Sequence, residues 1–284
     1  MNGRQRGVAL LSVMLVMSLA LLMTAGMLRS HQLMVQSSVH QVHQVQLRQL
    51  GWSAEAWAMA ILAEDAELAV VHSSQAWARL TWPFDTQPAH IALRVEDLAA
   101  RFNINTLLGD GQVDQVSRER WSRLLASRGL PPLDLSAAGQ VPELQELSQL
   151  RVLRGVDGAT LRQLEPWVAL LPKEAGLNIN TAKPEVLAIL DGVPLSVAKA
   201  LVSQRPAAGY ASVQDFTHDP LIAGFGVNGH GLSVSSRWFR ITADVRLGTS
   251  RLRMVCDVER ERKTGRWRVV QRRFLPPISS DTAL

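Results

Sequence analysis

Cysteine is nearly absent: Cys256 stands alone among 284 residues, which excludes an intrachain disulfide or a cysteine-based zinc site as a source of stability. The lone thiol lies in a strand-like run and reads as a small buried hydrophobe. A large charge imbalance is absent too. Lys+Arg 30 against Asp+Glu 25 leave +5, too small and too scattered to mark a nucleic-acid binder by itself. No G-x-S-x-G, H-E-x-x-H or C-x-x-C occurs, and the dispersed His and Asp residues have no triad or metal-cage spacing, so no catalytic residue, cofactor or metal site is expected. Gly224-Phe-Gly-Val-Asn-Gly229 satisfies G-x-G-x-x-G, but it follows no strand of a βαβ unit and opens no helix, so it reads as a loop. With 47% hydrophobic and 19% charged residues the chain is not disordered as a whole, and it is long enough for one large core or two modest ones.

What is present begins with an apolar run. Val8 to Leu28 reads VALLSVMLVMSLALLMTAGML, without a charge, preceded by Arg4 and Arg6 and followed by Arg29. Such a helix is about 30 Å long, enough to cross the hydrocarbon core of a bilayer. The two arginines, in a leader with no acidic residue, place the N-terminus in the cytoplasm and everything after Leu28 across the membrane. A secretory signal peptide, with Thr24 and Gly26 before a cleavage point, and a plain signal anchor share this charged start. The junction suggests a third reading: a short basic leader ends in Gly7, and the apolar helix begins at Val8 without a spacer. That order resembles a type IV prepilin-like leader, which prepilin peptidase cuts after the glycine, leaving the helix on the mature chain. Counted from Val8 the fifth residue is Ser12, where pilin-like subunits usually carry glutamate. A carboxylate there pairs with the N-terminal ammonium of a neighbour, because an unpaired charge in apolar surroundings is costly. Its absence either removes the chain from the class or places it at a filament tip, with no neighbour above.

From Arg29 to about Leu80 there is no proline, and the spacing predicts a long amphipathic helix with a bend near Gly51. Leu47, Leu50, Ala54, Trp57 and Ile61 step by three and four and share one face, the candidate contact with partner helices. His31, His40 and His43 lack a third ligand at metal spacing and read as a solvated polar face.

Pro83 ends this region, and IALRVEDL at Ile91 to Leu98 is strand-like. The core N-I-N-T occurs twice, after Phe102 and after Leu177. Asn103, Asn105, Asn178, Asn180 and Thr181 are expected to form strand-to-helix capping turns. Helices are predicted over Ser117 to Ser127, Leu144 to Leu153 and Thr160 to Leu170, and in GVPLSVAKALVSQRP beyond Leu190. The C-terminal part alternates with period two at Phe239, Ile241, Ala243, Val245 and Leu247 and again at Leu252, Met254, Cys256 and Val258, followed by Trp267 to Phe274. Turns at 248–250 and 263–265 join these runs into an antiparallel meander. Its outward positions are rich in arginine, which more often protects strands than binds nucleic acid.

In this order of parts the chain resembles the K-type minor pseudopilins of type II secretion systems, the GspK family. The resemblance rests on RGVALLSVMLVM without the glutamate, DLAARFNIN, LPKEAGLNINTAKPEVLAIL and the C-terminal alternating strands. It implies an α+β fold: a transmembrane and amphipathic helix, and a pseudopilin-like antiparallel sheet with an inserted helical domain of helix-hairpin-helix or SAM-like type. The expected divisions are leader 1–7, membrane helix 8–28, periplasmic helix 29–82, strand segment 83–110, insert 111–175, hairpin region 176–232, strands 233–275 and tail 276–284. It further implies cleavage and methylation after Gly7, residence in the inner membrane with the head periplasmic, and a tip position beside I-type and J-type minor pseudopilins on the inner-membrane secretion platform. Some members bind calcium through acidic loops, but the acidic stretch is missing between Leu135 and Glu143, and Asp110, Asp114 and Asp157 are scattered, so calcium is not expected. A rival reading comes from the hairpin region, which resembles helix-hairpin-helix DNA receptors. There the turn reads Asp191-Gly-Val-Pro194, and a proline stands where a glycine N–H would approach phosphate.

Overall fold

The computed structural model describes residues 4–64, 69–84, 87–108, 114–133, 143–153 and 155–276. Asp110, the stretch 134–142 and the tail beyond Pro276 lie outside the described residues. Helix α1 runs Arg4–Glu64, 61 residues and about 90 Å. It continues through Gly51. A Cβ at Gly51 would sit 3.4 Å from Met254 Cε and Sδ, so the glycine lets the helix lie close on the sheet. The described helix reaches Glu64, the chain is no longer helical at 69–70, well before Pro83, and a 3-10 turn at Ala76–Arg79 then buries Trp77.

Strand β1, Ala89–Asp97, leads through a 3-10 turn at Leu98–Ala100 into the insert. There β2 (Phe102–Asn103), α2 (Gln115–Ser127), α3 (Gly158–Leu164), β3 (Val168–Ala169), β4 (Leu177–Asn178), α4 (Pro184–Leu187), α5 (Leu195–Gln204), α6 (Val213–Thr217) and β5 (Leu232–Ser233) follow one another. The segment 147–152 is a 3-10 helix, and α3 ends at Leu164, six residues short of the expected helix. Each N-I-N-T copy opens from a two-residue parallel bridge, β2 on β3 and β4 on β5. Across the division at 175/176, Trp121, Leu124 and Leu164 share one core with Ile179, Leu187, Leu201 and Phe216.

The chain then returns to the sheet with β6 (Trp238–Leu247), β7 (Ser250–Arg260) and β8 (Trp267–Leu275). The sheet order is β1-β6-β7-β8, and each neighbouring pair is antiparallel. The C-terminal meander therefore gains a fourth strand from before the insert, in register from Ala89 opposite Leu247 to Asp97 opposite Phe239. One face of the sheet buries α1: Ala58 and Leu62 pack with Phe239, Ile241, Met254 and Val258, and Leu47 packs with Val245, Leu247 and Leu252.

Candidate membrane and assembly surfaces

Along the N-terminal half of α1 every described side chain from Leu10 to Val35 is exposed. Leu10, Leu15, Leu21 and Leu22 are each about two-thirds exposed or more, which only a bilayer or neighbouring helices would relieve. Gly7, Val8 and Ser12 lie within this helix. Exposed apolar side chains continue beyond Leu28 through Leu33, Met34, Val35, Val39, Val42 and Val45 to Trp52.

The predicted contact face is placed differently. Leu47 and Ala54 are fully buried, and Leu50, Trp57 and Ile61 are partly buried. Leu50 packs on the Leu47 cluster, and the Trp57 ring meets Trp82 edge-on at 5.8 Å. The periodicity identifies an apolar face, but the chain's own sheet covers it, so Leu47 and Ala54 are unavailable to a partner. The side of the same helix turned away from that face carries Val42, Val45, Trp52, Ala56 and Ala60, all exposed, with Arg48 one turn before Trp52 at its margin. The signal that marks it in the sequence is the scarcity of charge: between Arg29 and Glu64 only Arg48 and Glu55 are charged, and Glu55 is buried.

Glu55 is the polar point of the helix–sheet contact. Arg272 on β8 donates from Nη2 and Nε to its two oxygens at 2.6 and 2.8 Å, and Cys256 Sγ donates to Oε2 at 2.7 Å. Burial raises the carboxyl pKa, but the Arg272 and Cys256 hydrogen bonds outweigh it and hold the group below its ordinary range. Burial and the adjoining carboxylate push the Cys256 thiol up to about 12. Since the thiolate is the reactive form, a maleimide reagent is expected to leave Cys256 unlabelled in the folded chain and to label it fully in denaturant, as read by intact mass.

The asparagines do more than cap. Asn103 Oδ1 accepts from Asn105 N at the 3-10 turn 104–107, but also from Leu171 N at 3.1 Å, while its Nδ2 donates to Pro172 O at 2.9 Å. Asn105 closes a pair of hydrogen bonds with the Leu144 backbone and donates to Leu171 O. Asn180 brackets the Tyr210 backbone, donating to its carbonyl at 3.0 Å and accepting from its N–H at 2.8 Å. Asn178 and Thr181 reach out of the insert to Asp97 at the end of β1, at 2.8 and 2.6 Å, and Asn178 also donates to Val71 O at 3.1 Å. Asp97 is therefore the buried knot between sheet and insert. Burial lifts its pKa above the ordinary carboxylate range, against the donors of Ser236, Thr181, Asn178 and Ala99.

The hairpin turn between α4 and α5 is occupied by the chain itself. Asp191 accepts from Asn228 N at 2.8 Å and from Arg123 Nη1 at 3.2 Å. Arg120 beside it donates to the carbonyls of Asn228 and His230, each at 2.6 Å. A carboxylate held inside this network leaves no cradle for phosphate, so the DNA-receptor reading is not favoured. Asp114 and Asp157 cap α2 and α3, and no cluster of metal-ligating residues occurs among the described residues.

Comparison with known proteins matches this arrangement. A family model described as type II secretion system (T2SS), protein K, covers residues 177–235, the segment from β4 to the start of the sheet's return. Type II secretion system protein K of Pseudomonas aeruginosa is 30% identical over 96% of this chain and 93% of its own length. The chain belongs to the type II secretion system protein K family. The protein K of Klebsiella pneumoniae is 28% identical, across 96% of this chain and 98% of its own. The fold resembles that seen in the crystal structure of the GspK-GspI-GspJ complex from the enterotoxigenic Escherichia coli type 2 secretion system, with a TM-score of 0.69 at 23% identity, covering 85% of this chain. As a protein K, a minor pseudopilin of type II secretion, the chain is a structural component.

Proposed function

We propose that the chain is a tip subunit of the secretion pseudopilus, anchored in the inner membrane by Val8 to Leu28 with its head in the periplasm. Prepilin peptidase cuts between Gly7 and Val8, and the new N-terminus is methylated. The head joins I-type and J-type minor pseudopilins, and the complex starts the filament on the inner-membrane platform and supports protein secretion across the outer membrane. Ser12, in the place of the usual glutamate, leaves no carboxylate for a subunit above.

The observation that carries this reading is the outward face of α1. It carries exposed Val42, Val45, Trp52, Ala56 and Ala60 with only Arg48 charged at its margin, while the inward face is already spent on the sheet. Helices present such faces to other helices. Val42→Asp with Ala56→Asp is expected to abolish co-purification with the I-type and J-type subunits while leaving the melting temperature of the head within about 2 °C, because surface changes cost little stability. Intact mass, with and without prepilin peptidase, tests the leader: loss of Met1 to Gly7 only when the peptidase is present is the expected result. An uncut chain in both cases would refute the prepilin assignment.

A further inference from the structure

The outer face of the sheet, away from α1, divides into two halves. Near the insert its arginines meet acids. Arg240 Nε lies 2.7 Å and Arg273 Nη2 3.3 Å from the Asp257 carboxylate, and Arg268 Nη2 lies 2.7 Å from Glu259 Oε2. Toward the β6–β7 turn this matching stops. The register sets His90 opposite Arg246 and Arg246 opposite Arg251, a row of three exposed basic side chains on adjacent strands with no acid in it. Arg94 is exposed on the same face, opposite Thr242. The one ion pair in this half, among the described residues, is Arg253 with Asp244, at 3.9 Å. Among the described residues no ion pair or hydrogen bond reaches the side chains of Arg94, Arg246 or Arg251.

Like charges directly opposite on neighbouring strands destabilise a sheet. Protection of a free edge accounts for Arg94 on the outer strand β1 but not for Arg246, which lies on the inner strand β6 with His90 on one side and Arg251 on the other. We propose that Arg246, Arg251 and Arg94 are the seat of an acidic protein surface on a neighbouring subunit, whose carboxylates complete the pairs this chain leaves open. The proposal rests on the assembly reading above. Guanidinium groups fit carboxylates as two-pronged donors, and a fixed row of them sets register as well as attraction. Lipid headgroups do not fit the position. Leu47, which packs with Leu247 and Leu252 at this end of the sheet, lies about 28 Å along the helix beyond Leu28. That is more than three Debye lengths of about 8 Å at physiological salt.

The test titrates the full-length chain in detergent against the co-purified I-type and J-type minor pseudopilins at about 0.05 and 0.5 M salt. Wild type is compared with Arg246→Gln/Arg251→Gln and Arg246→Glu/Arg251→Glu. The wild-type affinity is expected to fall about tenfold with salt. The Gln variant should lose about tenfold at low salt, and the Glu variant more. The Gln variant should not melt earlier than wild type, since a like-charge contact is removed, so misfolding does not mimic its loss; the Glu variant exchanges that contact for a pair of opposed carboxylates. Equal affinity of the Glu variant and wild type overturns the proposal and leaves the assembly reading standing. No complex with wild type at either salt overturns both. Arginine-dependent binding to phosphatidylglycerol vesicles with unchanged partner affinity assigns the row to lipid and overturns the proposal alone.

Discussion

Asn178→Ala is expected to destabilise the folded chain by about 3 kcal/mol at neutral pH and by less than half of that near pH 4. The side chain is fully buried and makes three hydrogen bonds, donating to Asp97 and Val71 and accepting from Asn180 N. Removing it strips a donor from a carboxylate that has no water to turn to, the costly half of any buried polar pair. The pH dependence follows from Asp97. Its pKa is raised in the folded chain by burial, so the folded state holds this proton more tightly than the unfolded one. The contribution of Asp97 to stability is therefore greatest below the ordinary carboxylate range and declines as pH rises through the folded value. Loss of Asn178 raises that value further, so the deficit grows with pH. Urea unfolding of wild type and variant at both pH values measures it. A deficit that does not change with pH would mean that Asp97 is not the group left stranded.

Gly209→Ala is expected to lower stability by about 3 kcal/mol or more, a fall of roughly 6–12 °C in melting temperature. Gly209 has φ +70°, and a Cβ there would lie 2.7 Å from both Cγ and Nδ2 of Asn180. Asn180 has no room to yield, since it is fully buried and holds both polar groups of the Tyr210 backbone. Gly192 is the matched control. It has φ +72°, but a Cβ added there would meet nothing within 4 Å, so Gly192→Ala carries only the left-handed backbone cost of about 1 kcal/mol. Thermal unfolding of the two variants side by side separates the backbone cost from the collision. Equal losses would refute the steric account.

The strands and the long helix are legible in the sequence because period two and period 3.6 survive in the side chains of β6, β7 and α1. Helix α1 runs on through Gly51: glycine's helix penalty is a local quantity, whereas Met254, two hundred residues away, makes the absence of a Cβ useful. The same limit applies to the apolar face of α1: spacing locates Leu47 and Ala54 on one side but does not say whether the cover is a partner or the chain's own sheet. The N-I-N-T copies are recognisable as turns, since Asn103 and Asn178 do bond two residues ahead. Their other halves lie 68 to 81 residues away in Leu171 and Asp97, a separation no local pattern encodes. The hostility of Asp191 to phosphate is readable from its charge alone, yet its arginine partners sit on α2, outside the hairpin motif.

The unbroken course of α1 has a mechanical consequence. A helix whose hydrogen bonding continues from the sheet contact into the exposed apolar segment transmits a tilt of the head along its length, as a lever does. From Leu10 to Gln46 the free arm is about 54 Å long, and a 10° tilt of the head would sweep its far end sideways by about 9 Å, close to the diameter of a neighbouring helix. Docking of the head thus sets where, and at what angle, the apolar end can sit among other helices.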